Sequence, residues 1–244
     1  MKTLIRNGSA AIFAVILCGT AHALPRGYAT TGEKYLENST DLSRWSFGIY
    51  ADLRERDVDV ETPISGVFQK YRMKSDEYMG YLGYDALRWL TVYATAGGGE
   101  VELKTAGDSS SSQAGVGLKI NLVDHEIMDP TLLEDRIRLN AAVQYSFFTV
   151  DAWPAEDADV QELSASLTLS LVNDIVGNKL FLPNGIGIFG GGLYSDLLGG
   201  DVDEDSKFGY TAGVEVFYTD RVTLEFSIQG FDDITYCGGI HLRL

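Results

Sequence analysis

The chain has 244 residues, of which 45% are hydrophobic and 22% charged, and its formal net charge at pH 7 is −16. This hydrophobicity excludes a disordered protein, and the length is sufficient to bury a core. The negative charge argues against a nucleic-acid partner, because binding nucleic acid requires a basic face. No apolar run approaches the roughly 18 residues of a spanning helix. Two cysteines cannot form a disulfide framework or a Cys-rich zinc site.

The first 23 residues have the three parts of a secretory signal peptide. Lys2 and Arg6 give a positive start, residues 10–18 are apolar, and Ala21-His22-Ala23 is a cleavage site with small residues. The alternative is a buried first helix. The sequence therefore predicts export, with residues 1–23 removed.

From residue 45 onward, seven segments alternate apolar and polar residues with a period of two, which is typical of strands and not of helices. They are residues 45–53, 114–122, 137–147, 163–171, 210–218, 222–228 and 234–244. Three further segments, rich in glycine and aromatic residues, are 76–86, 90–103 and 185–196. The triplets Gly97–Gly99 and Gly190–Gly192 predict bulges or phase slips there.

These segments predict one all-β domain of about ten strands at residues 43–244, with eight as the alternative count. A polar N-terminal segment, residues 24–42, precedes this domain. Segments joined in sequence by turns favour an antiparallel up-and-down barrel. Glycine-rich stretches lack the strand–loop–helix setting of a phosphate cradle, and no cofactor is expected.

Alternation alone does not determine whether the apolar face points into a core or outward into lipid. Strands of about 9–11 residues match a tilted membrane crossing, whereas soluble strands average about 5–6 residues. Aromatic residues lie at the ends of the apolar stripes, as Trp45, Tyr210 and Tyr218 do, which is typical of an interfacial girdle. These features favour a transmembrane barrel, and a soluble periplasmic ligand-binding barrel is the alternative.

The C-terminal residues 237–244 resemble the terminal assembly signal of Gram-negative outer-membrane barrels. The matching positions are Gly239, Leu242 and Leu244, whereas the family prefers a terminal Phe and a polar residue in place of Cys237. The chain is therefore similar to small outer-membrane barrels of the opacity-protein or OmpA-membrane-domain type, with no motif that identifies a subfamily. The resemblance implies outer-membrane lipid, lipopolysaccharide and the barrel assembly machinery as partners, and a monomer.

An even barrel with periplasmic termini places the turns near 87–89, 124–135, 173–184 and 219–221 inside, and the acidic connections near 55–75, 104–112, 151–159, 197–207 and 231–233 outside. Residues 125–135 are long enough for one helical turn. The charged residues of the polar phase then face the lumen, where they are candidates for ion pairs because unpaired buried charges are costly. They are Asp52, Arg54, Lys119, Arg138, Glu215, Glu225, His241 and Arg243.

The sequence thus predicts a barrel with a side-chain-filled polar lumen and a structural or surface-interaction role, and a narrow channel for ions or small solutes is the alternative. An outer-membrane enzyme that cleaves lipid or peptide is a further alternative, but it is not expected, because His125 and His241 lie near the periplasmic end and cannot reach an outer-leaflet site. Asp201, Asp203 and Asp205 are weak candidates for loose divalent-cation binding. Ser206 and Ala212 stand where a calcium loop requires Gly and Glu, which argues against an EF-hand. The extracellular ligand is unknown.

Overall fold

The computed structural model describes residues 43–61, 68–103, 107–127, 133–153, 156–175, 183, 185–198, 202–204, 206–219 and 221–244. The predicted signal peptide and the polar segment 24–42 lie outside these residues. The described residues form eleven strands: β1 Trp45–Glu61, β2 Phe68–Leu87, β3 Leu90–Leu103, β4 Gly107–Ile127, β5 Leu133–Trp153, β6 Glu156–Ile175, β7 Gly185–Leu197, β8 Val202–Glu204, β9 Phe208–Phe217, β10 Val222–Gly230 and β11 Ile234–Arg243. Within these ranges, no helix is long and apolar enough to cross a membrane.

Ten of the strands form a closed antiparallel barrel. Each pairs with the next along the chain, β7 pairs with β9, and β11 returns to pair with β1. The predicted all-β, up-and-down barrel of ten strands is confirmed. β8 stands apart from this ring and pairs with the outer part of β1, at Val58–Val60.

The strands on one side of the barrel are longer than the sequence predicts. β4 and β5 each have 21 residues, whereas β9, β10 and β11 have only 9 or 10. Strand residues therefore make up much of three predicted outer connections, 55–75, 104–112 and 151–159. The prediction of a helical turn at 125–135 is wrong at both ends of that range, since β4 continues to Ile127 and β5 begins at Leu133.

The predicted bulges at the glycine triplets are also wrong. Gly97–Gly99 and Gly190–Gly192 pair in continuous register. The register shifts occur instead at Asp85/Leu87, Asn121/Val123 and Val150/Trp153. Within the triplets, a Cβ on Gly99 would lie 1.8 Å from the carbonyl oxygen of Asp76, and Gly97 and Gly191 are similarly crowded, so the backbone approaches too closely at these three positions for any side chain. A Cβ on Gly192 would meet nothing within 4 Å.

The apolar phase of the strands faces outward. The large hydrophobic side chains of this phase are exposed, among them Ile49, Val116, Val143, Leu167 and Ile188. Exposed aromatic rings border this belt on the side of the chain termini, at Trp45, Trp89 and Tyr218, and on the opposite side, at Tyr78, Phe147, Phe208 and Tyr236. An apolar outer wall between two aromatic rims is the arrangement of a transmembrane barrel.

Candidate functional site: the barrel lumen

The end of the lumen nearest the chain termini, taken as periplasmic, contains a buried ion-pair network. Asp124 accepts hydrogen bonds from Nε of Arg138 and from one terminal nitrogen of Arg136, both at 3.0 Å. The side chains of all three are at least nine-tenths buried. The guanidinium of Arg138 also lies 5.9 Å from the ring centroid of Phe217, which is fully buried. Charge pairing and a cation–π contact therefore hold Arg138 in place.

A second ionic contact joins the last strand to the first hairpin. Arg243 on β11 pairs with Asp85 on β2, and its Nε donates to the carbonyl oxygen of Ser43 at 3.0 Å. Thr91 donates to the other carboxylate oxygen of Asp85 at 2.6 Å. Because β1 lies between β2 and β11, this contact spans the strand at which the barrel closes.

The remaining charges near this end lie on β9, β10 and β11. Glu215 and Glu225 are directly opposite each other and both are buried. Nε2 of His241 lies 3.5 Å from a carboxylate oxygen of Glu225. Together with the Asp124 and Asp85 networks, these residues form what we term the ionic layer.

The structure brings the predicted lumen residues together only in part. Glu225 and His241 are in contact, whereas Arg138 and Arg243 pair with Asp124 and Asp85, which are not among the predicted lumen residues. Lys119 and Glu215 are buried, as expected for residues of the inward-facing polar phase. The ion pairs predicted for these two residues stay predictions. The side chains of Asp52 and Arg54 lie outside the described part of the structure.

The regular alternation in the sequence did not indicate Asp124 as a lumen residue. The alternation of 114–122 places position 124 on the outer face. The register shift at Asn121/Val123 moves Leu122 and Val123 both outward and returns Asp124 to the lumen. The bulge therefore creates the pairing with Arg138, which lies directly opposite.

Above the ionic layer, the lumen has a neutral layer of small and hydroxylated side chains. Thr95, Gln144, Ser146, Ser164, Ser166, Thr168, Thr211, Ser227, Gln229 and Thr235 are all buried there. An apolar cluster of Tyr50, Met79, Tyr81, Tyr93 and Cys237 forms the wall at β11, β1, β2 and β3. Among the described inward side chains, charge returns only farther out, at Glu77 and at Glu162, which accepts a hydrogen bond from Ser195 at 2.5 Å.

Near the outer ends of the strands the polarity of the wall is reversed. Most of the described inward-facing side chains there are apolar and buried, namely Val58, Met73, Val101, Phe148 and Val160, with Leu197 at the end of β7. Ser75, Ser111 and Glu162 are the buried polar exceptions. Outward-facing side chains are charged and form cross-strand pairs, as Lys70 does with Asp57 at 3.3 Å and Arg72 with Glu55 at 3.0 Å. We term this part the outer storey. Its strand segments are 55–61, 68–76, 100–103, 107–112, 148–153, 156–162 and 202–204.

Two contacts close the outer storey above the short strands. β8, from the connection after β7, pairs with β1 beyond the end of β11. Arg72 pairs with Asp233 in the turn between β10 and β11. β8 thus pairs with the part of β1 that extends beyond the end of β11.

The residues of the predicted assembly signal lie on the closing strand. Gly239 pairs with Tyr50 on β1, and Leu242 and Leu244 are exposed on the outer face. Of the cation-binding candidates, Asp203 is in β8, and Asp201 and Asp205 lie outside the described residues. No group of three or more metal-ligating side chains occurs in the described ranges.

No protein-family model and no curated protein matches the chain. Among solved structures, it is similar to an outer membrane channel from Pseudomonas putida F1, at 9% identity and a TM-score of 0.40 over 91% of this chain and 100% of the channel. It is also similar to Neisserial surface protein A, at 10% identity and a TM-score of 0.32 over 83% and 98% of the two chains. The translocator domain of the autotransporter NalP from Neisseria meningitidis gives 10% identity and a TM-score of 0.34 over 82% and 87%. Similarity at this level assigns no function.

Proposed function

We propose that the protein is an integral outer-membrane barrel, closed to solutes, that has a structural or surface-interaction role at the cell exterior. The observation that carries this proposal is the reversal of polarity along the barrel wall. Side chains that face outward are apolar around Val143 and charged around Lys70. Side chains that face inward change in the opposite sense, from the charged Arg138 near the periplasmic end to the apolar Val58 and Phe148 in the outer storey.

The apolar belt supports placement in a membrane. A soluble barrel would place these hydrophobic side chains in its core and its charges in water, which is the opposite of the observed distribution. Export by the predicted signal peptide and the resemblance of the C-terminal strand favour the outer membrane. Outer-membrane lipid, lipopolysaccharide and the barrel assembly machinery are the proposed partners, and the proposed state is a monomer.

The two ends of the lumen support a closed barrel. Paired charges and Phe217 occupy the periplasmic end, and mostly apolar side chains occupy the outer storey. An ion that entered the outer storey would lose its hydration water against apolar walls, which is unfavourable. The proposal includes no catalytic activity.

The experiment for closure is recording from the purified protein in planar bilayers. We expect no conductance steps, with flotation of liposomes used to verify that the protein has inserted. The ionic layer, which has charges of both signs, favours a narrow channel as the second candidate. Resolved conductance steps would support the channel and contradict a closed barrel.

Exposure of the outer storey can be tested on intact cells with an amine reagent that does not cross membranes. The side chains of Lys70 and Lys74 are half exposed on the outward face, whereas Lys119 is buried in the lumen. We expect modification of Lys70 and Lys74 and none of Lys119. If the reagent modified Lys119 and left Lys70 unmodified, that result would contradict the proposed orientation.

A further inference from the structure

The outer wall of the barrel has a groove where β11, β1 and β2 lie side by side. Its volume is about 260 Å³, and it is lined by residues 49–51, 78–80 and 238–240. The first and last residues of each triplet belong to the outward phase, and Ile49 and Tyr78 are more than half exposed. Tyr50 and Met79, in the middle of their triplets, point inward and are buried in the apolar cluster of the lumen wall. The groove therefore opens away from the lumen.

The register of the three strands creates this groove. Gly238 lies directly opposite Ala51, and Gly80 lies directly opposite Ile49. The three small residues, Gly238, Ala51 and Gly80, form a floor that runs obliquely across the strands. Ala51 faces outward yet is only 4% exposed, so it lies below the level of the taller Ile49 and Tyr78. The result is a narrow apolar depression in an otherwise raised wall.

The groove lies in the outer half of the apolar belt. Tyr78 and Tyr236 belong to the outer aromatic rim, and Gly238 is two residues from Tyr236 along β11. At roughly 3.3 Å per residue, the floor is about 7 Å from that rim. On β1 the outward side chains become charged at Glu55, four residues beyond Ala51. The lipid that meets this groove is therefore in the outer leaflet.

We propose that the groove binds one acyl chain of an outer-leaflet lipid, the lipid A part of lipopolysaccharide. This inference rests on the proposed function, because it requires the wall to face hydrocarbon. The groove is continuous with the apolar belt that supports that placement. Without an occupant its lining would lose dispersion contacts, and the bilayer core has no water to fill it.

The size of the groove favours a chain over a bulkier occupant. Its volume of about 260 Å³ is below the roughly 300–1,000 Å³ of pockets for drug-sized ligands. A second copy of the barrel would present a broad wall, which would meet Ile49 and Tyr78 before it reached the recessed Ala51. A flexible acyl chain can pass between these side chains and contact the floor.

Filling the groove should release the lipid. Ala51→Leu and Gly80→Val each add side-chain volume to the floor. A Cβ on Gly80 would have its nearest contact with the carbonyl oxygen of Ala96 at 3.4 Å, an ordinary van der Waals distance, so the backbone tolerates a side chain there. Ala94→Leu is the matched control, because Ala94 is exposed on the outward face of β3 and does not line the groove.

The measurement is native mass spectrometry of each protein after extraction from the outer membrane of a Gram-negative host in mild detergent. Compact mobility on unheated gels first verifies that each variant is folded. The mass of any adduct identifies the retained lipid. Delipidated samples are then titrated with purified lipid A to compare binding by the parent, the two groove-filling variants and the control.

We expect the parent and Ala94→Leu to retain one lipid A per barrel, and Ala51→Leu and Gly80→Val to lose most of it. The inference is overturned if the parent retains no lipid A, if it retains a phospholipid instead, or if the filled variants bind as well as the control. A parent dimer that the filled variants dissociate would assign the groove to a second copy and would also overturn it. Recovery in the outer membrane and gel mobility are scored separately, so absence of lipid from a folded, inserted barrel counts against this inference alone.

Discussion

The ring of Tyr93 on β3 lies over Gly117 on β4, the residue directly opposite in the ladder. A Cβ on Gly117 would meet the ring Cζ at 2.4 Å, and one on Gly213 would meet Cζ of Phe189 at 2.6 Å. His241 stands in the same relation to Gly48, where the distance to Nδ1 is 2.9 Å. Glycines on one strand thus accommodate rings from the next, which explains how large rings fit inside a ten-stranded wall.

Replacing Gly117→Ala should therefore destabilise the barrel. The new methyl group would overlap both the Tyr93 ring and the carbonyl oxygen of Val143, the latter at 2.7 Å, and overpacking of this kind costs about 1–3 kcal/mol. Gly192→Ala is the control, because a Cβ there meets nothing within 4 Å. The measurement is the free energy of unfolding by urea in lipid vesicles. Equal stabilities of the two variants would refute the glycine–ring argument.

Removing the central acid of the ionic layer should be more damaging. Asp124→Ala leaves Arg136 and Arg138 buried without that carboxylate, and breaking a buried pair costs about 3–5 kcal/mol. Asp57→Ala, which breaks only the exposed pairs to Lys70 and Arg72, should cost about 0–1 kcal/mol. Denaturant midpoints of the two variants give the comparison. A loss for Asp124→Ala no larger than that for Asp57→Ala would show that the network is not required.

The cost of a charge on the outer wall should depend on depth. Val143 is exposed in the middle of the apolar belt, and Ser112 is exposed near the outer aromatic rim. Val143→Arg should cost about 2–4 kcal/mol, whereas Ser112→Arg should cost about 0–1 kcal/mol because its guanidinium reaches the interface. Unfolding in vesicles measures both. Equal costs would mean that position 143 does not face hydrocarbon.

The contact between Arg243 and Asp85 should couple the last strand to the first hairpin. Arg243→Ala and Asp85→Ala each remove one partner and leave the other buried. Both single variants should therefore lose the compact, fast-migrating gel band at a lower temperature than the parent protein. The double variant should lose less than the sum of the two, by a coupling of about 0.5–3 kcal/mol. Strict additivity would show that the two side chains act independently.

The strand count, the antiparallel order and the two faces could be predicted from sequence because period-two alternation reports side-chain direction along each strand. Trp45–Leu53 and Val222–Ile228 illustrate this, since each alternates through most of its length. The lengths of the strands could not be predicted as well from the sequence. At the outer storey the polarity pattern reverses, so a continuation such as Glu55–Glu61 resembles an acidic loop in sequence while remaining paired with β2.

The ionic layer could be predicted only where the phase is unbroken. Arg138, Glu225 and His241 lie within regular alternation and were selected. Asp124 was not, because it follows a register shift that changes its face. Asp85 precedes the shift at Asp85/Leu87 and was missed because the segment 76–86, rich in glycine and aromatic residues, shows no clean alternation that would assign its face. A single-residue bulge leaves no compositional mark, so the pairing of Asp124 with Arg138 required the three-dimensional register.

The most direct test of the membrane barrel is to express the full chain with its N-terminal signal in a Gram-negative host, fractionate the envelope and compare unheated with boiled samples on gels. We predict that the protein is in the outer-membrane fraction and that its mobility changes on boiling, as expected for a closed barrel that resists detergent until heated. Recovery as a soluble periplasmic protein with the same mobility in both samples would contradict the account, because the apolar face would then have to be a core.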